Sequence, residues 1–427
     1  MNTKLFFHLS SLLLIGIFVF SGLEMNAQDA PQWRGKDRTG VLNTTDLNLN
    51  WSETKPPLTW TFKQAGAGYS SPAIVGTTLY CQGAADGEDF VFALDTENGN
   101  LKWKQALGKE YLQDRGNGPR GTITIDGNKL YLIRGGGQIH CVSAADGKTL
   151  WQKDFRTDFG GNIMSRQDWG FSESPLIDGN LVICTPGGDD GAIVALDKNT
   201  GNTVWRSKGW DDLGGYSSII VTEIDGVKQY IGYTRKGVAG VDAKTGTILW
   251  SAEVAGNQTA VIPTPICQGN IVYVTSGYRS GCAALKVTKA GNGFNAEVLY
   301  TNNDMSNHHG GVVLVDNHIY GYSDGAGWVC QDLQTGETLW KERIKDSGKG
   351  AVICVNNLLI CLDERTGSMT VAAASAEGWK EFGRIEIPER AVEESSMDNM
   401  VWTHPVVANE KLYLRDHTFL FCFDLKK

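Results

Sequence analysis

The chain has 427 residues, with 39 Lys and Arg against 48 Asp and Glu, a formal net charge of −9. An acidic chain without a Lys/Arg block lacks the basic footprint that a phosphate backbone needs, which excludes nucleic acid as a partner. Hydrophobic residues at 41% and charged residues at 20% exclude a disordered chain, and 52 Gly with 13 Trp suggest a repeated unit built on tight turns and one large aromatic.

Lys4 precedes an apolar run from Leu5 to Phe20, and a small residue, Ala27, follows. Positive start, short apolar centre and small residue define a secretory signal over residues 1–27. The run is broken by His8, Ser10 and Ser11 and falls short of the ~20 apolar residues of a membrane span, so no span is expected. No Cys precedes Cys81, which leaves no site for lipidation. The expected location is therefore periplasmic or secreted. Residues 28–57 read as an N-terminal arm carrying Trp33, Arg34 and Trp51, and residues 58–427 as a single repeat-built domain.

Five segments of that domain align without gaps: LDTENGNLKW, VSAADGKTLW, LDKNTGNTVW, VDAKTGTILW and QDLQTGETLW, ending at Trp103, Trp151, Trp205, Trp250 and Trp340. Each places Gly four residues before Trp. Degenerate copies offer Tyr300 and Phe382, and Trp60 in LTWTFK opens the series, so the aromatics recur every 40 to 54 residues. Within one interval SSPAIVG, TTLYCQG, DFVFALD and NLKWKQ read as four short strands separated by Gly- and Asp-rich turns. No long stretch has a 3.6-residue period, so helix should be nearly absent. Four strands per repeat, arranged radially, give an all-β propeller.

The chain ends in FLFCFDLKK, a third strand with no fourth, whereas LTWTFK is a fourth strand with nothing before it. Joining the two makes an eighth blade and closes the ring, removing exposed sheet edges. In each repeat Gly supplies the positive φ of the hairpin before the outer strand, Asp accepts backbone N–H groups, and the aromatic fills the gap between blades. Trp60, Trp103, Trp151, Trp205, Trp250, Trp340 and Phe382 are accordingly structural. Cys141, Cys330 and Cys422 occupy a position where other repeats have Ala93, Ala195 or Gly240, so the nine cysteines read as buried small hydrophobes rather than a disulfide framework.

These repeats resemble the pyrroloquinoline-quinone (PQQ)-like propeller family, whose hallmark is the AxDxxTGxxxW tryptophan-docking motif; PQWRGKDRTG and YSSP near the N-terminus are similar to exported members. The resemblance covers about residues 58–427 and implies an eight-bladed ring. One branch, the quinoprotein dehydrogenases, implies PQQ and calcium bound in the ring, over Trp169 or Trp402 and with Glu173 as calcium ligand. This chain has neither the adjacent Cys pair nor the CxxCH haem motif of many such enzymes. The other branch, BamB-like, implies docking to envelope proteins without a cofactor.

Propeller connectivity puts the short, uniform turns on one face and the long, irregular connections on the other, where variable loops on a rigid scaffold carry function. Side chains entering the inner strands from the irregular face are Tyr69, Arg120, Trp169, Glu173, Tyr216, His308, His309, Lys349, Trp402 and His404. Arg134, Arg235, Tyr278 and Arg415 join them from the turns. Mixed charge with aromatics suits an envelope protein, a peptide or a polar small molecule such as a sugar. His308-His309 alone cannot close a metal site, and Asp189 and Asp190 fall short of the 6–8 oxygens that calcium takes. Glu173 and His404 would make an acid/base pair only if they meet. The expectation is an exported, monomeric, noncatalytic binding or scaffold protein with neither cofactor nor metal; the alternative is a small PQQ- and calcium-dependent dehydrogenase of alcohols or sugars.

Overall fold

The computed structural model describes residues 29–165, 167–291, 293–392 and 399–427; the expected signal segment, residues 1–27, lies outside the described residues. Eight antiparallel four-stranded sheets follow one another around a ring, as the repeat predicts. Blade 1 runs Ala73–Val75, Thr78–Ala85, Glu88–Asp95 and Leu101–Lys109, from the channel outward. Blades 2 to 7 repeat the order, and their inner strands begin at Thr124, Leu176, Ile220, Ile266, Val312 and Val352. Blade 8 takes three strands from Val406–Asp424 and its outer strand from Leu58–Phe62, with Trp60 opposite Cys422. The ring is therefore closed by the N-terminal strand. Among the described residues α-helix is limited to Phe155–Phe159, capped by Asp154, whose carboxylate accepts Arg156 N at 2.8 Å and Thr157 N at 3.1 Å.

The repeated motif builds the seams between blades. Asp197 Oδ1 accepts Asn199 N (3.0 Å) and Thr200 N (2.9 Å), and Asp242 and Asp332 cap their turns in the same way. These hairpins place Gly201, Gly246 and Gly336 at φ +72°, +71° and +74°, in the left-handed region. The aromatic of one blade lies on the glycine of the next: Trp60 on Gly99, Trp103 on Gly147, Trp151 on Gly201, Trp205 on Gly246 and Tyr300 on Gly336. A Cβ at Gly246 would come within 2.4 Å of the Trp205 ring, so glycine is needed for contact as well as for conformation.

Two seams differ. Blade 5 has no short TG hairpin; its outer strands Gly281–Ala290 and Gly293–Asn302 are elongated, and Trp250 packs beside them with Nε1 donating to Gln229 Oε1 at 2.7 Å. Blade 8 has no hairpin before its outer strand, because that strand comes from the other end of the chain. Phe382 consequently has no turn glycine to dock on and stays half-buried against a cluster that includes Leu47, Leu49 and Trp51 of the arm. Ser52 N donates to Phe382 O (2.7 Å) and Asn48 N to Leu425 O (2.7 Å), so arm residues fill that seam.

The arm also crosses the channel. Ala30 exchanges hydrogen bonds with Ile74 of blade 1, and Ile125 N of blade 2 donates to Pro31 O at 2.8 Å. Arg38 donates to Ser174 O (2.7 Å) and Pro175 O (3.0 Å) before blade 3, and Trp33 Nε1 to Thr264 Oγ1 (2.9 Å) before blade 5. Arg34 reaches Val312 O of blade 6, and Val41–Leu42 adds a parallel strand to Val352–Val355 of blade 7. Asp29 Oδ1 accepts Gly76 N in the short turn of blade 1, which puts the crossing at the regular-turn end of the channel.

Candidate functional site

At the irregular end, above the arm, lies a cavity of about 480 Å³. Eight of the ten sequence candidates line it: Tyr69, Arg120, Trp169, Tyr216, His308, His309, Trp402 and His404. Trp33 of the arm reaches the same cavity and meets His404 edge-on, ring centroids 4.5 Å apart. Tyr69 and Trp402 are 5.4 Å apart at 39°, and Trp169 and Tyr216 are 6.4 Å apart at 34°. The wall is thus predominantly aromatic.

Several polar groups in that wall are positioned by backbone carbonyls, by the Glu364 carboxylate or by a neighbouring ring. Arg120 donates to Gly118 O (2.6 Å) and Gly116 O (2.8 Å) of its own loop. Trp402 Nε1 donates to Glu364 Oε2 at 2.9 Å, and His309 Nε2 stands 3.3 Å from the same oxygen. Tyr278 OH pairs with His308 Nε2 at 2.8 Å, and His404 Nε2 faces His309 O at 3.3 Å. Burial, with Lys349 beside it, pulls His308 down to about 4, and burial with Arg34 nearby pulls His404 down to about 3. His309 is lowered too, by burial and by His308. All three imidazoles are therefore neutral at neutral pH and act as hydrogen-bonding groups, not charges.

Glu173 and Lys349 do not line the cavity. Glu173 is buried, its Oε1 accepting Thr185 N at 2.5 Å, with Arg38 of the arm as the nearby cation. Burial pushes its pKa up to about 7 against the opposing hydrogen bond and Arg38. The preceding residue, Ser172, does line the cavity; in extended chain neighbours face opposite ways, and the side chain expected at the rim is the other one of the pair. Among the described residues no hydrogen bond joins Glu173 to His404, so the two make no acid/base pair. Lys349 is turned to Asp324, at 2.8 Å. Arg134, Arg235 and Arg415 belong to seams: Arg134 pairs with buried Asp89 (2.9 Å), Arg235 with buried Asp212 (3.1 Å), and Arg415 is fully buried, donating to Gly66 O at 2.8 Å across the closing seam.

Sequence reasoning missed Trp33, Arg115, Gln167, Ser172 and Ser218 as lining residues. Only the Trp and Arg density of PQWRGKDRTG hinted at Trp33. Gly187–Gly188 of GGDDG pairs with Asp212–Leu213, and Asp189 and Asp190 are exposed at the turn between Gly188 and Gly191. Among the described residues no group of three or more His, Cys, Asp or Glu is placed to hold a metal ion. All nine cysteines are unpaired, and all but Cys267 are buried. No described helix is long and apolar enough to cross a membrane.

Eight four-stranded blades, five of whose seams set an aromatic ring on a turn glycine, around a channel open at its irregular end, define a PQQ-like β-propeller. The family described as outer membrane protein assembly factor BamB matches residues 87–342, and the chain belongs to that family. Among solved structures, BamB from Moraxella catarrhalis is 17% identical with a TM-score of 0.60, covering 86% of this chain and 97% of that one. Quinohemoprotein alcohol dehydrogenase from Comamonas testosteroni is 13% identical with a TM-score of 0.62, covering 93% and 80%. A europium-containing methanol dehydrogenase is 13% identical with a TM-score of 0.51, covering 92% and 90%. No curated protein matches. At such identities the likeness is one of fold, and the fold carries both an assembly factor and dehydrogenases, so function rests on the site.

Proposed function

We propose that this protein is an exported, noncatalytic binding propeller that captures a polar ligand or an extended segment of an envelope partner in the cavity of its irregular face. The observation that carries the reading is a cavity of about 480 Å³ walled by Trp33, Tyr69, Trp169, Tyr216 and Trp402 and backed by the arm. Concave, mostly apolar sites with a few fixed polar groups are the usual form of a ligand pocket.

The dehydrogenase alternative needs PQQ and calcium. Calcium takes 6–8 oxygen ligands, carboxylates prominent among them, whereas no Asp or Glu lines the cavity among the described residues. Glu173, the ligand that reading requires, is committed to Thr185 N behind the wall. The donor set does not suit the ion, and no chemical step is assigned. The test is to add PQQ and calcium to the purified protein and follow melting and dye reduction with alcohols and sugars. Neither should change. A ligand at 100 times its Kd adds ~2.7 kcal/mol to folding, so a clear calcium-dependent rise with dye reduction overturns the binding reading. Conversely, any ligand found by thermal shift should lose its effect in Trp402→Ala.

A further inference from the structure

We infer that the cavity takes a carboxylate-bearing saccharide, a short chain of uronic acid units, and that Arg120 recognises the carboxylate. This rests on the binding reading above and adds to it the charge and class of the ligand.

The charge comes from Arg120. Its guanidinium stands between two rings, 5.9 Å from the centre of Tyr69 and 5.5 Å from that of Tyr111. Bonds to Gly116 O and Gly118 O orient it through its terminal nitrogens, yet a guanidinium has five N–H donors, so capacity remains. Among the described residues it has no ion-pair partner; Asp89, which attracts it, is already held by Arg134 at 2.9 Å. Burial pulls its pKa down, as it does for a cation short of water and of counter-charge. The histidines around it are neutral. Glu364, behind the wall, is engaged by Trp402 and His309, and burial pushes its carboxyl up towards the neutral form. A chain of net charge −9 thus presents a cavity wall whose formal charges, among the described residues, are all positive. Arginine is the side chain that binds carboxylates with paired, directed hydrogen bonds.

The class comes from the walls. Neighbouring rings are tilted by 39° at Tyr69 and Trp402 and by 34° at Trp169 and Tyr216, which curves the wall instead of forming a flat slot. A curved aromatic wall fits the C–H faces of puckered sugar rings better than a planar acid. Gln167, Ser172 and Tyr278 add amide and hydroxyl groups that match sugar hydroxyls. The volume accommodates about two or three sugar units, within the ~300–1,000 Å³ range of small-ligand sites.

Calorimetry on the mature chain with trigalacturonate and with neutral galactotriose tests this. The acidic trimer should bind at least about tenfold tighter, and Arg120→Gln should erase that preference at an unchanged melting temperature. Arg120→Lys, which keeps the charge, should retain part of it, and added salt should weaken only the acidic ligand. Equal affinity for the two trimers, or a preference that survives Arg120→Gln, overturns the inference. If neutral sugars or peptides bind in a Trp402-dependent way and the acidic trimer does not, the inference falls while the binding reading stands. Tight, calcium-dependent capture of PQQ removes both.

Discussion

Tryptophan does two different jobs in this molecule. At the seams Trp60, Trp151, Trp205, Trp250 and Trp340 are buried, and three of them donate Nε1 to a carbonyl of the next blade: Trp60 to Thr96, Trp151 to Lys198 and Trp340 to Ser375. At the cavity Trp33, Trp169 and Trp402 are only half-buried and belong to the arm or to loops. The seam set repeats with the blades because each blade must bury the same edge. The cavity set follows no period, since each loop is free to differ once the ring holds its ends. A residue type says little by itself here; its phase relative to the repeat decides whether it carries stability or recognition.

Truncation should separate the two sets most sharply. Trp205→Ala removes a buried ring from the seam between blades 3 and 4 and should cost about 3–5 kcal/mol in denaturant unfolding. Trp402→Ala loses one hydrogen bond and part of a solvent-facing ring, and should cost about 1 kcal/mol. Equal losses would mean that the cavity wall is as much core as the seams are.

The glycines give a finer contrast. Gly226 and Gly246 have nearly the same backbone angle, φ +74° and +71°, but a Cβ at Gly226 meets nothing within 4 Å while one at Gly246 strikes the Trp205 ring. Gly226→Ala should therefore cost only the strain of a left-handed alanine, about 1 kcal/mol. Gly246→Ala adds displacement of the docked ring, about 1–3 kcal/mol more. Comparing the two melting curves isolates docking from backbone preference; if they coincide, the tryptophan does not rest on its glycine.

This contrast also explains what the sequence made legible. Blade number, strand order and closure all follow from the repeat, because Gly, Asp and Trp hold fixed offsets that the hairpin geometry enforces. The cavity was located for the same reason, since connectivity alone assigns the irregular loops to one end. Three details escaped. Glu173 and Ser172 face opposite ways, and a one-residue error in an extended segment exchanges them. Trp33 reaches the cavity only because the arm crosses the channel, a contact between segments more than two hundred residues apart. Phe382 has no turn to dock on because chain closure removes that hairpin, so its neighbours come from the arm.

The smallest effect expected is on the pH dependence of stability, where the inner ring and the seam turns should again part company. Seam carboxylates such as Asp332 have pKa values held down, against some burial, by the N–H groups they cap and by the Thr335 hydroxyl. Their contribution is present above the ordinary Asp pKa and disappears as pH falls through the lowered one. Near the cavity the shifts come from burial. His308 and His404, lowered to about 4 and about 3, stay neutral in the fold, so stability is lost as pH falls from about 6.5 towards those values. Glu173, raised to about 7, works in the other direction: the folded state holds its proton more tightly, so stability falls as pH rises from about 4.5 through 7. With two histidines against one carboxyl the histidines prevail below about pH 7, so stability rises from acid to about pH 7 and Glu173 makes that rise shallower. Glu173→Gln should remove this opposing contribution, so that the gain in stability from pH 5.5 to pH 8 grows by an amount of order 1 kcal/mol. Chemical denaturation at pH 5.5 and pH 8 measures this directly: a gain no larger in the variant than in the parent would assign the ionisation to another group and leave Glu173 a purely packed residue beneath the arm.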